Sequence, residues 1–396
     1  MRHRGDRFRN GENRLGYHRG PRMHPTHYSW HAGENSLGKA IWPVPLALSP
    51  DELLSTWIVR LALANGCEPL VLTGFLWPGW RPWTIDLDRA SDFSYLEPLS
   101  KYSGIRIGSL VAASLRAVAR ATTGTSKKPN TTGPWILSLG TRNRKRLGGL
   151  QYCSYCFNGD ATPFYRLQWR LAWHTCCPNH QVILNDRCFW CRAAIEPHRL
   201  TTRNSNTAYC ARCGDNHGDS LHLRAVSSAM AFQSLADAVV CSGVGRYGPV
   251  LMTACEWFIV VRYFLMLLRC TTRHPNSNLT KCLVSIHSQV GTLKSTMSGL
   301  PFELLPPFER AQMLCCVYGL VQAGPKELKA AMISWGLTSA TMMQDWPSVP
   351  YPINELVNAL PSRRRTRKRS GKCSQKPKPP QVVMRMWAKL CRKNYG

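Results

Sequence analysis

The chain has 396 residues, 44% of them hydrophobic, which is enough for a sizeable core and for two or three domains. Its net charge of +29 predicts a polyanionic partner such as nucleic acid, or else a basic surface that only keeps the protein in solution. The most apolar stretch, 251–268, is short and contains Glu256 and Arg262. This excludes a membrane span there and, with no secretory leader visible, predicts a cytoplasmic protein.

The excess of positive charge is concentrated at the two ends. Residues 1–30 carry a net charge of +5, and residues 361–396 contain thirteen Lys and Arg without an acid. We therefore expect a disordered basic arm over 1–40 and a basic disordered tail over 361–396, in which 382–392 can fold as a small helix on a partner. The candidate phosphate contacts in the tail are Arg363, Arg364, Arg365, Arg367, Lys368 and Arg369.

The first ordered element is a predicted helix that starts at Ser49. Ser49, Pro50 and Glu52 have the pattern of a capping box with proline at the first helical position, and apolar residues follow at helical spacing. Asn65-Gly66 is the stop signal. This helix opens a predicted N-terminal helical domain over 41–148.

A tryptophan-rich loop over 74–90 follows. Its Trp77, Trp80 and Trp83 either stack on bases or a partner, or close the edge of a small core, and both interpretations remain open.

Helix-turn-helix spacing appears over 96–118. A helix through Leu99, a turn at 103–105 and a second helix over 109–118 would present Arg106, Ser109 and Arg116 to DNA, although ordinary helical packing gives the same pattern. The polar loop before residue 150 adds four cations that are either phosphate contacts or a solvated run: Arg142, Arg144, Lys145 and Arg146.

Four pairs of potential metal ligands come next, each at i and i+3: CSYC, CPNH, CFWC and CARC. Their ligands are Cys153, Cys156, Cys177, His180, Cys188, Cys191, Cys210 and Cys213. Two such pairs complete a tetrahedral zinc site, so four pairs predict two structural Zn²⁺ ions. We favour sequential pairing of the quartets over a cross-braced arrangement, and we expect Cys176, His174, His198 and His217 not to be ligands.

Other chemistry fits these cysteines less well. Disulfides are disfavoured in a reducing cytosol, and a redox CxxC motif usually opens a helix in a βαβ pattern that is absent here. A catalytic zinc site keeps one coordination position open, whereas both quartets here can be filled by protein. The module is therefore predicted to be structural and to cover 149–222. A helix over 162–173, with Arg166 and Arg170 on its polar face, is expected inside the first site's loop.

The remainder, 223–360, is predicted to be a C-terminal helical domain. Helices are expected over 227–242, 247–270, 278–296 and 306–323, followed by a second, weaker helix-turn-helix over 328–343 and a short helix over 353–360. The predicted fold class is thus mainly α with small zinc-ribbon β knuckles.

The order of these parts resembles the TniQ family, whose longer relatives are the TnsD proteins. The similarity rests on PDELLSTWIVRLALANG, YCSYC, ATPFYRLQWRLAW, CPNH and DRCFWC, is close over 45–215 and loosens towards 360. One departure is Arg192 after the third knuckle, where a small residue is usual. Another is the Arg-rich start of the chain.

The resemblance implies a non-catalytic accessory protein of Tn7-like or mercury-transposon-like elements. Such a protein selects the target DNA and recruits an AAA+ ATPase regulator and a transposase; it can also form a homodimer. An adaptor that docks on an RNA-guided effector complex is the alternative within the family. A zinc-containing transcription regulator is the alternative outside it, and a zinc-dependent nuclease is the enzymatic alternative. The family has no catalytic residues to transfer to this chain.

Overall fold

A computed structural model describes residues 41–84, 86–89, 94–124, 133–139, 149–294, 300–343 and 348–362, together with Pro380, Val383, Met384 and Trp387. The chain divides into two compact units, Met1–Pro361 and Ser362–Gly396. The predicted arm over 1–40 and the candidate contacts at Arg142–Arg146 and 363–369 lie outside the described residues. In the second unit the four described positions are helical, and Val383, Met384 and Trp387 are exposed.

The first unit is mainly α-helical with two small antiparallel hairpins, as the sequence predicts. Its helices are α1 Leu54–Ala64, α2 Pro69–Leu76, α3 Leu96–Ser103, α4 Ile107–Ala112, α5 Arg116–Thr123, α6 Ser154–Gly159, α7 Ser227–Ser242, α8 Ala254–Arg273, α9 Asn278–Ile286, α10 Pro307–Ser334, α11 Ser339–Met342 and α12 Ile353–Asn358. Its strands are β1 Cys176–Cys177, β2 Val182–Ile183, β3 Val244–Tyr247 and β4 Val250–Thr253, paired β1 with β2 and β3 with β4.

Helix α1 begins later than its predicted cap. Half of the capping pair does form, because the Ser49 N–H donates to Glu52 Oε2 at 3.0 Å. Asp51, however, has a φ of 59°, which takes the chain off the helical path, and the helix starts at Leu54 without a side-chain cap. The predicted stop is confirmed, since Gly66 takes a φ of 67° immediately after α1.

The three tryptophans after α1 pack into the small N-terminal core. Trp77 is buried, and its Nε1 donates to the Tyr95 carbonyl at 2.8 Å. Trp80 and Trp83 are partly buried against the same core. The structure therefore supports the second interpretation, in which these tryptophans close the edge of a small core. The part of the predicted loop before residue 77 belongs to α2.

The predicted second helix over 109–118 is wrong, because it is divided into α4 and α5. Two backbone groups at the break have distant partners: the Ala113 carbonyl accepts from the Leu54 N–H at 2.9 Å, and the Leu115 N–H donates to the Asp88 carbonyl at 2.8 Å. A continuous helix needs both groups for its own i to i−4 bonds. The turn before α4 does occur where expected, with Gly104 at a φ of 74°.

The predicted helix over 162–173 is also wrong. This segment contains only a 3-10 turn, Leu167–Arg170, within the continuously described stretch 149–294. Its backbone is bonded instead to two distant segments. The Tyr165 carbonyl accepts from the Leu53 N–H at 3.0 Å, and the Arg170 carbonyl accepts from the Leu137 N–H at 2.9 Å. An extended conformation supplies these long-range bonds, which a helix would use locally.

Consequently, Arg166 and Arg170 do not lie on a solvated helix face. Arg170 is fully buried and forms ion pairs with Asp86 at 2.5 Å and Asp88 at 2.8 Å. Arg166 pairs with Asp160 at 2.9 Å. Both arginines hold loops together.

The helices over 227–242 and 353–360 are confirmed as α7 and α12, whereas the prediction for 247–270 is wrong at its start. There β3 and β4 form a hairpin, and α8 begins only after Thr253, which forms a complete capping box with Glu256. That capping box is visible in the sequence and marks the true start.

Two further C-terminal helices differ from their predicted ends. Helix α9 ends at Ile286 rather than at 296. Helix α10 continues past 323 to Ser334, with a kink at Gly324, whose φ of 73° is not helical. The second predicted helix-turn-helix corresponds to the end of α10, a turn at Gly336 with a φ of 59°, and the four-residue α11.

One large core joins the Cys/His region to the C-terminal helices. The ring of Trp173 lies 5.0 Å from that of Phe258 on α8, and both belong to the same buried cluster as Leu320 of α10. Arg310, also on α10 and 1% exposed, donates to Gln151 Oε1 at 2.7 Å and to the Ala172 carbonyl. The division of residues 41–360 into three functional domains therefore stays a prediction, because packing is continuous across residue 222.

Among the described residues, no single helix is long and apolar enough to cross a membrane. The pair α1 and α2 reaches that length and composition only when taken together, with a bend of 104° between them.

Candidate metal centres

Four ligand atoms converge in the first quartet, formed by Cys153, Cys156, Cys177 and His180. All four lie within 4.8 Å of one another. The sulfurs of Cys156 and Cys177 are 3.6 Å apart, and His180 Nδ1 lies 3.4 Å from each of them. A tetrahedral ion with metal–sulfur bonds of about 2.3 Å places its sulfurs about 3.8 Å apart. The spacing therefore fits a Cys₃His site for zinc.

The second quartet has the same geometry with four sulfurs, those of Cys188, Cys191, Cys210 and Cys213. These atoms also lie within 4.8 Å of one another. The Cys188–Cys213 distance is 3.6 Å and the Cys191–Cys210 distance is 3.7 Å. The quartets thus form from sequential pairs, as favoured from the sequence, and not from interleaved ones.

Tight turns bring the two ligands of each pair together. In three of the four pairs, the N–H of the residue after the second ligand donates to the carbonyl of the first ligand: Gln181 to Cys177 at 2.8 Å, Arg192 to Cys188 at 3.1 Å, and Gly214 to Cys210 at 2.9 Å. All three donors are left-handed, with φ of 52°, 58° and 80°. Glycine takes this conformation without strain, whereas the other two side chains do not.

The strain at Arg192 was foreseen from the sequence, since a small residue is usual there. Gln181 carries the same strain and was missed, although its place one residue after CPNH is the available signal. The first pair differs because Cys153 is the N-cap of α6, and the equivalent bond, from the Phe157 N–H to the Cys153 carbonyl at 3.1 Å, belongs to a right-handed turn.

The thiols of the first quartet share too little space for every sulfur to carry charge. Hydrogen bonds from the Cys153 and Cys156 thiols lower the pKa of Cys177. Hydrogen bonds with Cys153 and Cys177 raise the pKa of Cys156, because they favour its protonated form. A bound cation reverses this preference, since a coordinating thiol is deprotonated outright. The donor set is therefore suited to an ion that takes several thiolates.

An aromatic ring packs beside the exposed histidine of the first quartet and was missed by sequence reasoning. The Tyr155 ring lies 5.3 Å from the His180 ring, and its hydroxyl is hydrogen-bonded to His222 Nε2 at 2.5 Å. Tyr155 occupies the third position of CSYC, so its place beside the ligands follows from the motif. The hydrogen bond with His222 could not be predicted, because nothing in the sequence around His222 indicates it. The Tyr155 ring thus lies against the His180 ring, whose Nδ1 is 3.4 Å from the sulfurs of Cys156 and Cys177.

The nearby residues expected not to be ligands have other partners. His174 Nε2 is bonded to Asp237 at 2.7 Å. The His198 ring stacks on Trp83, and the His217 ring packs 4.6 Å from that of Tyr152. Cys176 lies in a separate apolar cluster with Ile183, Ala229 and Ala311.

The described candidates for DNA contact are not on one helix. Arg106 is exposed at the N-cap of α4, and Ser109 is half-buried within α4. Arg116 is half-buried as the first residue of α5. The break at Ala113–Leu115 therefore separates Arg116 from the other two.

Residues 43–184 match the family model described as TniQ. No curated protein matches the chain. The matched region runs from the segment before α1 to the end of β2 and contains all four ligands of the first quartet, whereas the second quartet follows it. A TniQ domain is consistent with an accessory protein of transposition. The chain therefore contains a TniQ domain over residues 43–184.

Proposed function

We propose that this chain is a non-catalytic accessory protein of transposition that recognises the insertion target and recruits an AAA+ ATPase regulator and a transposase. The observation that carries the proposal is the TniQ match over 43–184. One alternative is an adaptor that is directed to the target by an RNA-guided effector complex. The other is a zinc-containing transcription regulator.

Two zinc ions in this proposal have a structural role. Each quartet offers four protein ligands, which completes tetrahedral coordination and leaves no position for water or substrate. The first quartet lies within the largest core, since Cys153, Cys156 and Cys177 are buried there. Binding of the ion then adds to the folding free energy of the unit.

DNA contact is assigned to exposed cations and to the basic ends. Arg106 at the start of α4 is the described candidate with the greatest freedom to reach a groove. Ser109 lies on the same helix, and Arg116 begins α5 after the break. Arg142, Arg144, Lys145, Arg146 and the tail cations are proposed as phosphate contacts on chemical grounds alone. A net charge of +29 favours such contacts with DNA over recognition of the target only through a partner protein.

The proposal is tested by an insertion assay in which the ATPase and transposase encoded with this chain are expressed with it, without it, or with its Arg106→Ala variant. Sequencing of insertion sites should show a defined target with the intact chain and scattered or lost insertion without it. Lys329→Ala, an exposed cation on α10, is the control and should keep the target. An unchanged insertion pattern without the chain would refute the proposal, and a target that depends on a guide RNA would favour the adaptor.

A further inference from the structure

A large aromatic side chain in the first turn of the second quartet is exposed to solvent. Trp190 is 54% exposed, although it lies between two ligands, Cys188 and Cys191. The tryptophans of the small N-terminal core and of the large core are buried or half-buried by comparison. The side chain at this position has no role in coordination, so the exposed indole is not explained by the metal.

The turn holds Trp190 in a fixed place. Its neighbours Cys188 and Cys191 converge on one ion site, and the Cys188 N–H donates to the Ala193 carbonyl at 2.9 Å. The ring of Phe189 packs edge-on against the indole, with centroids 5.2 Å apart. A rigid aromatic loses little entropy when a ligand covers it.

Each ligand pair of the second quartet also carries an exposed arginine. Arg192 follows Cys191 directly and is exposed. Arg212 is exposed at the third position of CARC, the position equivalent to Trp190 in CFWC, and its backbone N–H donates to Cys210 Sγ at 3.4 Å. Because the ligand sulfurs lie within 4.8 Å of one another, both arginines belong to turns that converge on the same ion position.

The charge of these two arginines is available to a partner. Among the described residues, neither Arg192 nor Arg212 forms an ion pair. The exposed acid nearest to Arg212 along the chain is Asp215. An exposed indole and two exposed arginines on the turns of one quartet offer a flat π face and positive charge, which together fit a base and its phosphates.

We propose that Trp190, Arg192 and Arg212 form a binding site for single-stranded nucleic acid. An unpaired base stacks on the indole, and the flanking phosphates contact the two arginines. Duplex DNA does not fit this chemistry, because its bases are stacked on one another and show no free face. The site does not depend on the proposed role in transposition, because it requires only an unpaired strand of DNA or RNA.

The test uses the full chain loaded with zinc and three probes of equal length: oligo(dT), oligo(U) and a blunt DNA duplex. Trp190→Ala should weaken binding of the favoured single strand by about fivefold or more, since it removes the ring on which the base stacks. Arg212→Ala should weaken it and reduce its salt dependence. Phe75→Ala removes an aromatic that is 59% exposed on α2 and should leave binding unchanged. Zinc content and thermal melting of each variant show that it is folded.

Photocrosslinking of the unmodified chain to 5-iodouracil oligonucleotides gives a second measurement that needs no variant. A crosslink in the peptide that contains Trp190 supports the site, and the oligo(dT) and oligo(U) arms show whether DNA or RNA supplies the strand. An unchanged affinity of folded Trp190→Ala for both single strands, or an equal loss of duplex binding in that variant, would overturn the proposal. So would crosslinks confined to other peptides, which would leave this surface to a protein partner.

Discussion

His198 stacks face to face on Trp83, with ring centroids 5.0 Å apart and ring planes 11° apart. Trp83 packs on the N-terminal core, and His198 lies between the third and fourth ligand pairs, so the contact joins these two parts of the first unit. Burial, together with the nearby charge of Arg199, lowers the pKa of His198 from 6.5 to about 4. The folded environment of the stack therefore favours the neutral ring.

This shift gives a pH dependence with a definite sign. The folded state favours neutral His198, so the stabilisation is fully present above pH 6.5 and is lost as the pH falls towards 4. Between pH 7.5 and 5.5, the free energy of unfolding should fall by about 1 kcal/mol more in the wild type than in His198→Phe, which keeps an aromatic ring without a titrating group. Urea unfolding with excess zinc at both pH values measures the difference. An identical fall in both proteins would show that the stack does not depend on the charge of His198.

Loss of a single ligand should unfold a region rather than stop a reaction. Cys153→Ser and Cys188→Ser should each reduce the zinc content from two ions to about one and lower the melting temperature, because structural zinc contributes directly to folding. Metal analysis and thermal denaturation measure both effects. Cys176→Ala is the control, since Cys176 lies next to Cys177 but outside the quartet. A ligand variant with full zinc content and unchanged melting would contradict the structural role.

At the left-handed positions after the ligand pairs, introducing a glycine and removing one should have opposite effects on stability. Gln181→Gly should raise the free energy of unfolding by about 0.5–1 kcal/mol, because it relieves a backbone strain larger than the entropy that glycine loses. Gly214→Ala, at a φ of 80°, should lower it by about 1 kcal/mol. Chemical denaturation with zinc bound compares the two. If both variants shift stability in the same direction, the turn geometry is not what determines their effects.

Arg310 should be among the most sensitive positions of the C-terminal helices. Its guanidinium is buried and bonded to Gln151, to the Ala172 carbonyl and to the Leu305 carbonyl. Arg310→Ala leaves these acceptors unsatisfied and should cost about 3 kcal/mol or more of stability. Arg246→Ala removes an exposed arginine on β3 and should change stability by less than about 0.5 kcal/mol. Equal effects of the two substitutions in denaturant unfolding would argue against this tie between the Cys/His region and α10.

The basic tail should contribute to affinity for DNA but not to choice of sequence. Each phosphate contact adds about 0.9 to the slope of log affinity against log salt, so deletion of 361–396 should flatten that slope. Binding to a random duplex over a range of salt concentrations measures it. A truncated chain with the full slope would place the phosphate contacts elsewhere.

The two Cys/His quartets could be predicted because their signal is local. CPNH and CARC fix their own turns, and the sequential quartets follow from pairs that are close in sequence. Helix α7 was predicted for a similar reason, since its apolar spacing agrees with its packing. The segment 162–173 could not be predicted, because its carbonyls at Tyr165 and Arg170 bond to residues far away in sequence. A strong local helical pattern does not reveal such partners.

The small N-terminal helices show the same limit. Nothing near Leu115 in the sequence indicates that its N–H bonds to Asp88, and this bond contributes to the break between α4 and α5. The position of Arg116 relative to Arg106 therefore could not be known in advance. In contrast, the start of α8 could have been predicted, because Thr253 and Glu256 have the sequence pattern of a capping box. The apolar residues around them led to the prediction of one continuous helix instead.

The central claim, that this chain itself recognises a target in DNA, is tested most directly by selection of bound fragments from sheared genomic and plasmid DNA at about 150 mM salt, followed by footprinting. We predict one enriched sequence, whose enrichment falls in Arg106→Ala and Arg116→Ala but not in Lys329→Ala. Salt-sensitive binding to every fragment, with no enriched sequence, would contradict direct recognition and show that a partner recognises the target.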